Sequence, residues 1–238
     1  MLAAQTKAEL TLLARNGEQL LLTMVIPLGL LLVLTKVDVV TVPGDRDRVG
    51  FFVPGVIALA VMSTAFTGQA IGLGFERQYG VLKRLGATPL PRSVLLGAKT
   101  LSVFVVELVQ LLLICVVGLM LGWEPHGAVA AVLLLVVLGT AAFSGLGLLL
   151  GGTLRGLTTL AAANLLWFVL LVLGGVLFPL SQFGGAEDVL RLLPTAALSD
   201  GLRQVLQHGS AVPLRDILAL AGWSLATLGA ASRLFRWE

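Results

Sequence analysis

The sequence predicts an all-α integral membrane protein, a single domain over 1–238. It is expected to be a six-transmembrane-helix bundle with an N-terminal amphipathic interfacial helix, a short cytoplasmic helix after span two, and short outer-face helices between spans five and six. Three observations lead there. Of the 238 residues, 57% are apolar and 12% charged, with a mean hydropathy of +0.99, whereas a soluble domain carries about 25% charged residues. Six apolar runs approach the roughly 20 residues that a helix needs to cross about 30 Å of hydrocarbon. Runs such as LLLVVLGT (133–140) lack the two-residue alternation of a membrane strand barrel.

Within residues 1–17, Leu2, Leu10 and Leu13 fall near one helical face, while Lys7, Thr11 and Arg15 recur at i, i+4 and i+8 on another. That is the pattern of a helix lying in the cytoplasmic interface with its cations toward anionic headgroups. Spans are expected at Leu20–Leu34, Phe51–Gly74, Lys99–Leu121, Ala128–Leu150, Leu157–Leu180 and Ile217–Phe235. The first and last are short and lean on interfacial flanks. The first run is followed by TKVDVVTVPG, not by a small-x-small site, so no removable leader is expected. Pro54 fits the first turn of span two. Gly147 and Gly151, like Gly152 and Gly156, stand four apart, the spacing that lets helix backbones approach closely in lipid. No G-x-x-x-x-G-K-[ST] loop accompanies them. Residues 181–216 form the longest polar stretch, and the segments on either side of Pro194 each have helical rhythm. Arg233, Arg236 and Trp237 make a terminal interfacial anchor.

With six spans, the N-terminus, the second and fourth loops and the C-terminus share one side. That side takes ten of the 16 Lys and Arg residues, against six on the other. Asp38, Asp45, Asp47, Glu187, Asp188, Asp200 and Asp216 further dilute the six. Both termini are therefore expected in the cytoplasm. The net charge of +3 is read as topology, because no basic stripe with interleaved aromatics points to nucleic acid. Cys115, within span three, can form no disulfide inside the chain.

Catalysis needs a nucleophile, a base or metal ligands. His126 and His208 fall in outer loops without ligand spacing, and Ser144 has no histidine partner in any span. No catalytic residue, metal site or resident cofactor is expected. Glu107 lies about 12 Å along the third helix from Lys99, with Gln110 one turn further on the same face. A carboxylate at membrane depth faces the bundle interior and takes a partner. Glu107 is thus either a substrate-binding or protonatable group, or a structural one hydrogen-bonded to another helix near Asn164 or Thr158. Asn164 and Trp167, with Met62, Phe66 and Phe168, are candidates for a substrate path or for ordinary helix packing.

The segment FERQYGVLKRLGATPLPRS (75–93) concentrates charge between two spans. Read as a helix over 75–86, it sets Phe75, Tyr79 and Leu82 at i, i+4 and i+7 as an apolar stripe. Glu76, Arg77, Lys83 and Arg84 occupy the remaining faces. Pro89 and Pro91 then stop the helix and open the next. Charge alone would serve topology, but topology requires no aromatic stripe.

Residues 54–92, 163–180 and 193–206 carry a family likeness. Through them the chain resembles the membrane subunit of bacterial exporters of the ATP-binding-cassette type-2 permease family, similar to the daunorubicin-resistance permeases. The family's approximate pattern E-R-E-x-G-T-L-K-R-L-R-A-T-P is matched at Glu76, Arg77, Gly80, Leu82, Lys83, Arg84, Leu85, Ala87, Thr88 and Pro89. Gln78, Val81 and Gly86 depart from it. The resemblance implies a coupling helix, carried by Phe75, Glu76, Arg77, Tyr79, Gly80, Leu82, Lys83 and Arg84, that docks on a separate ATPase subunit. ATP and Mg would bind on that partner. It further implies a second permease protomer, identical or paralogous, in the lipid of a bacterial cytoplasmic membrane, with a substrate path between protomers near spans one, two and five. Two other readings compete: a proton-coupled secondary transporter using Glu107, and a non-transporting membrane scaffold. Lipids, polyketides and amphiphilic drugs all suit an apolar path, by analogy alone.

Overall fold

A computed structural model describes residues 1–37, 48–207, 209 and 213–235. Asp38, Asp45, Arg46, Asp47, His208, Arg236 and Trp237 lie outside the described residues. The elements are α1 (Leu2–Arg15), α2 (Gly17–Lys36), α3 (Arg48–Val61), a π-helical segment (Met62–Gly68), α4 (Gln69–Gln78), α5 (Val81–Gly86) and α6 (Arg92–Met120). They continue with α7 (Val129–Thr153), α8 (Gly156–Leu173), a 3-10 turn (Leu180–Ala186), α9 (Glu187–Leu190), α10 (Pro194–Leu206) and α11 (Leu214–Leu234). No strand occurs among the described residues. Lipid offers no hydrogen bonds to the backbone, so helices that satisfy their own are the natural solution.

Among the described residues five helices are long and apolar enough to cross a membrane: Arg48–Gln78, Arg92–Met120, Val129–Thr153, Gly156–Leu173 and Leu214–Leu234. The chain is a multi-pass membrane protein. The expected first span corresponds to a shorter apolar helix, Thr23–Lys36. The fifth stops at Leu173, seven residues before its expected end at Leu180. Gly175, at φ +70°, turns the chain out of the helix there.

The helix Arg48–Gln78 is the axis of the bundle. Its most apolar stretch is 89% buried, against 22–56% for the other four spans. It packs on α2, α6, α7, α8 and α10, and Phe52, Met62, Phe66, Leu135 and Phe143 form the core around it. Lipid tails are as apolar as leucine, so contact in a membrane rests on fit rather than on exclusion of water. The fit with α7 is made by two glycines. A Cβ on Gly147 would stand 2.6 Å from the Phe66 carbonyl oxygen, and one on Gly151 2.6 Å from that of Ala70. Gly152 meets the Phe235 ring instead, 2.9 Å from its Cδ2.

The π-helical segment interrupts the span where Ser63, Thr64 and Thr67 break its apolar run. From it and the first residue of α4, polar side chains reach four helices. Ser63 Oγ accepts from Trp167 Nε1 of α8 at 2.9 Å, and Thr64 Oγ1 donates to Gln110 Oε1 of α6 at 3.1 Å. The Met62 sulfur accepts from Thr195 Oγ1 of α10 at 3.4 Å, and Gln69 Nε2 donates to Ser144 Oγ of α7 at 2.7 Å. Single π turns of this kind recur at functional positions.

Pro194 opens α10 and contributes to its buried face, closing one end of the bundle. Arg203 pins it there. The guanidinium is 7% exposed and sits 3.8 Å over the Phe51 ring. It donates to the carbonyl oxygens of Phe51 at 3.2 Å, Gly175 at 2.6 Å and Val176 at 3.3 Å. Burial pulls its pKa down to about 10, so it stays protonated at neutral pH. The planar fork of arginine suits three divergent acceptors, where an ammonium does not. Arg203→Met is expected to destabilise the protein by about 2 kcal/mol or more, because polar groups lose their donor in a dry site. Arg203→Lys should recover only part of this, as read by thermal unfolding in detergent.

Candidate functional site

The segment expected as one helix over 75–86 is two. Gln78 ends α4, Tyr79 closes it, and Gly80 turns the chain at φ 72°, ψ 13° before α5 begins at Val81. That left-handed backbone is open to glycine and strained for other residues. The bend breaks the expected stripe. Leu82, expected to face a partner, is 0% exposed and packs with Leu73, Leu95, Leu96, Leu148 and Phe235. The outward face consists of Tyr79, 69% exposed, with Val81, Lys83 and Arg84. Phe75 is half-buried and stacks on Tyr79, the ring centroids 6.1 Å apart.

Two charged residues of this segment turn inward. Arg77 Nη1 donates to the carbonyl oxygens of Gly152 at 3.1 Å and Leu154 at 3.4 Å. These lie where α7 ends, and a helix leaves its last carbonyls without backbone donors. Glu76 accepts through Oε1 from Lys99 Nζ at 2.7 Å, and Lys99 also donates to Glu9 Oε2 at 3.0 Å. One ammonium therefore ties α1, α4 and α6 together. Thr6 and Glu9 are the residues α1 buries against the protein, while Leu2 is 44% exposed. Glu9 supplies a second acceptor to the Lys99 ammonium, which carries three N–H donors and is only 7% exposed.

Deeper in the bundle, Glu107 and Gln110 are 2% and 3% exposed. Glu107 Oε2 accepts from Thr140 Oγ1 of α7. Its expected partners Asn164 and Thr158 lie on the exposed side of α8, too far round the bundle to serve. Glu107 Oε1 has no hydrogen-bond partner. Gln110 accepts from Thr64 and donates to the Thr23 carbonyl oxygen at 2.8 Å, linking α2 and α6 to the π-helical segment.

The substrate-path candidates are not gathered in one place. Met62 and Phe66 are 0% exposed in the core, whereas Phe168 is 59% exposed and Asn164 stands beside it on the outer side of α8. Trp167 is half-buried on Ser63. None of the five lines the cavity of about 200 Å³ that opens beside Glu9, Glu76 and Lys99. Among the described residues no three His, Cys, Asp or Glu side chains group as metal ligands.

A bundle of apolar helices, with a charged segment fastened between Arg48–Gln78 and Arg92–Met120, defines a multi-pass membrane protein. The family model for ABC-2 family transporter proteins matches residues 19–233, and the chain belongs to that family. It is similar to the "Putative transport permease YvfS" of Bacillus subtilis (strain 168), with 22% identity over 234 residues covering 94% of this chain and 93% of that protein.

Glu9, Lys99 and Arg203 escape a reading of the sequence that counts charge by side of the membrane. Lys99 had one signal, its place in GAKT at the mouth of a long apolar run. Removing it strands two carboxylates, so Lys99→Met is expected to cost about 3 kcal/mol. Arg84→Met, on the exposed side of α5, should stay within about 0.5 kcal/mol. Thermal unfolding of the two variants side by side checks the difference.

Proposed function

We propose that this chain is the transmembrane subunit of an ATP-binding-cassette exporter driven by a separate ATPase subunit. The observation that carries this reading is an outward face, Tyr79, Val81, Lys83 and Arg84, on a short helix braced from behind by Leu82 and Arg77. A topology loop needs no such bracing. Family membership and the similarity to the Bacillus subtilis putative transport permease support it further. In this reading α1, α5 and both termini lie on the cytoplasmic side of a bacterial inner membrane, and Thr23–Lys36 supplies the sixth crossing. Two permease protomers, identical or paralogous, work with two ATPases that hold the ATP and Mg.

Closure of the ATPase dimer moves the α5 face. Arg77 carries the displacement to the end of α7, and Glu76 carries it through Lys99 to α1 and α6. The two membrane halves tilt, and a path between them, flanked by the exposed Asn164 and Phe168, opens outward. Such a transition requires contacts that differ between the two states.

Tyr79→Asp is expected to leave membrane insertion intact and to abolish permease-dependent ATP hydrolysis and efflux in proteoliposomes containing the ATPase. Wild-type efflux from this variant would remove the coupling assignment. Leu82→Asp is expected instead to lower the yield of folded protein, since it places a carboxylate in a closed apolar cluster. Glu107→Gln should leave ATP-driven efflux unchanged; a transport activity that follows a pH gradient and disappears in this variant would favour a secondary transporter.

A further inference from the structure

We propose that the cavity beside Lys99 binds the ammonium group of an amine-bearing amphiphile. The cavity, about 200 Å³, lies between α1, α4 and α6. Its charged wall holds two carboxylates, Glu9 and Glu76, against one ammonium, Lys99, which leaves an excess of one negative charge. Two buried polar atoms of the wall stand without a hydrogen-bond partner, and they have a single character. Glu76 Oε2 and Gln69 Oε1 have no hydrogen-bond partner, and both are acceptors. Gln69 is 7% exposed, and its amide nitrogen is committed to Ser144. The hydroxyls of Thr64 and Ser102 on the same wall donate to Gln110 and to the Lys99 carbonyl oxygen. A ligand must therefore bring donors and positive charge, which an anion or a neutral ether does not.

The rest of the wall is apolar, with Leu13, Val103 and Val106 available to a hydrocarbon tail. Gly72 keeps the space open. A Cβ added there meets nothing within 4 Å, in contrast to the backbone contacts at Gly147 and Gly151. That this amphiphile is cargo rests on the exporter reading; its binding does not.

The test uses the full chain, without the ATPase, in phosphatidylcholine nanodiscs, with empty discs as the blank. Octylammonium and its neutral analogue N-octylacetamide are titrated calorimetrically. Octylammonium should bind about tenfold more tightly, the worth of one charge-assisted hydrogen bond. Glu76→Gln should erase that preference. Gly72→Phe, which fills the cavity and leaves the ion triad in place, should abolish octylammonium binding. Equal affinity for the two probes, or undiminished octylammonium binding by Gly72→Phe, overturns the proposal. Phosphatidylethanolamine added to the discs should compete if the natural ammonium belongs to a lipid headgroup, and should not if it belongs to a free amphiphile; both outcomes uphold the ammonium site. Binding without ATP-driven efflux, once the ATPase is supplied, would count against the exporter reading alone. Efflux without binding would count against the site alone.

Discussion

The approach of α7 to the central helix, with Gly147 and Gly151 lying against the carbonyl oxygens of Phe66 and Ala70, sets the geometry on which the remaining contacts depend. Apolar surface gains little by leaving lipid for protein, so the bundle relies on backbone proximity and on hydrogen bonds between helices. Each such bond contributes only about 0.6 kcal/mol on average. Their joint effect is to select one rotation of each helix. Trp167 on Ser63, Thr64 on Gln110 and Gln69 on Ser144 can form together only if the central helix keeps the phase the glycines allow.

The same logic extends to the charged end of the molecule, with ions replacing close backbones. Arg77 holds the terminus of α7, and Lys99 gathers α1, α4 and α6. The segment between Arg48–Gln78 and Arg92–Met120 is therefore fastened to its surroundings by side chains as well as by its own chain ends. At the opposite end Arg203 plays a comparable part with neutral acceptors, joining α10 to the start of α3 and the exit of α8. Both ends are clamped by a cation, and the middle by small residues.

Much of this was legible from residue pattern. Apolar run length located the long helices, and the four-residue glycine spacing anticipated the seam with α7. Phe75 and Leu82 were correctly read as helical, but Tyr79 closes α4 and the three form no single stripe, because a periodicity count carries phase across Gly80, whose positive φ resets it. Glu107 was rightly turned inward, yet its partner Thr140 was missed, since a lone threonine on α7 looks no different from those at Thr158 or Thr159. Glu9 and Lys99 stand 90 positions apart, and nothing local to either announces the other. The π-helical turn was invisible for a different reason: the hydroxyls of Ser63, Thr64 and Thr67 suit a regular helix as well as a widened one, and only the partners of its side chains reveal the shift.

That shift bears on which changes in chain length the protein tolerates. A helix advances about 100° per residue, and Met62–Gly68 accommodates one residue more per turn than its neighbours. Deleting a single residue there would let a regular α-helix form while keeping the helices on either side nearly in phase, because the π turn already absorbs the rotation of one extra residue. Gln69, Glu76 and Arg77 would keep their approach to Ser144, Lys99 and Gly152. The loss would fall on the turn itself, where Ser63 and Thr64 meet Trp167 and Gln110. A deletion in the regular helix to either side has no such reserve and swings everything beyond it by about 100°. Selection against length variation should therefore be sharper in the regular flanks of this span than in the turn that interrupts them.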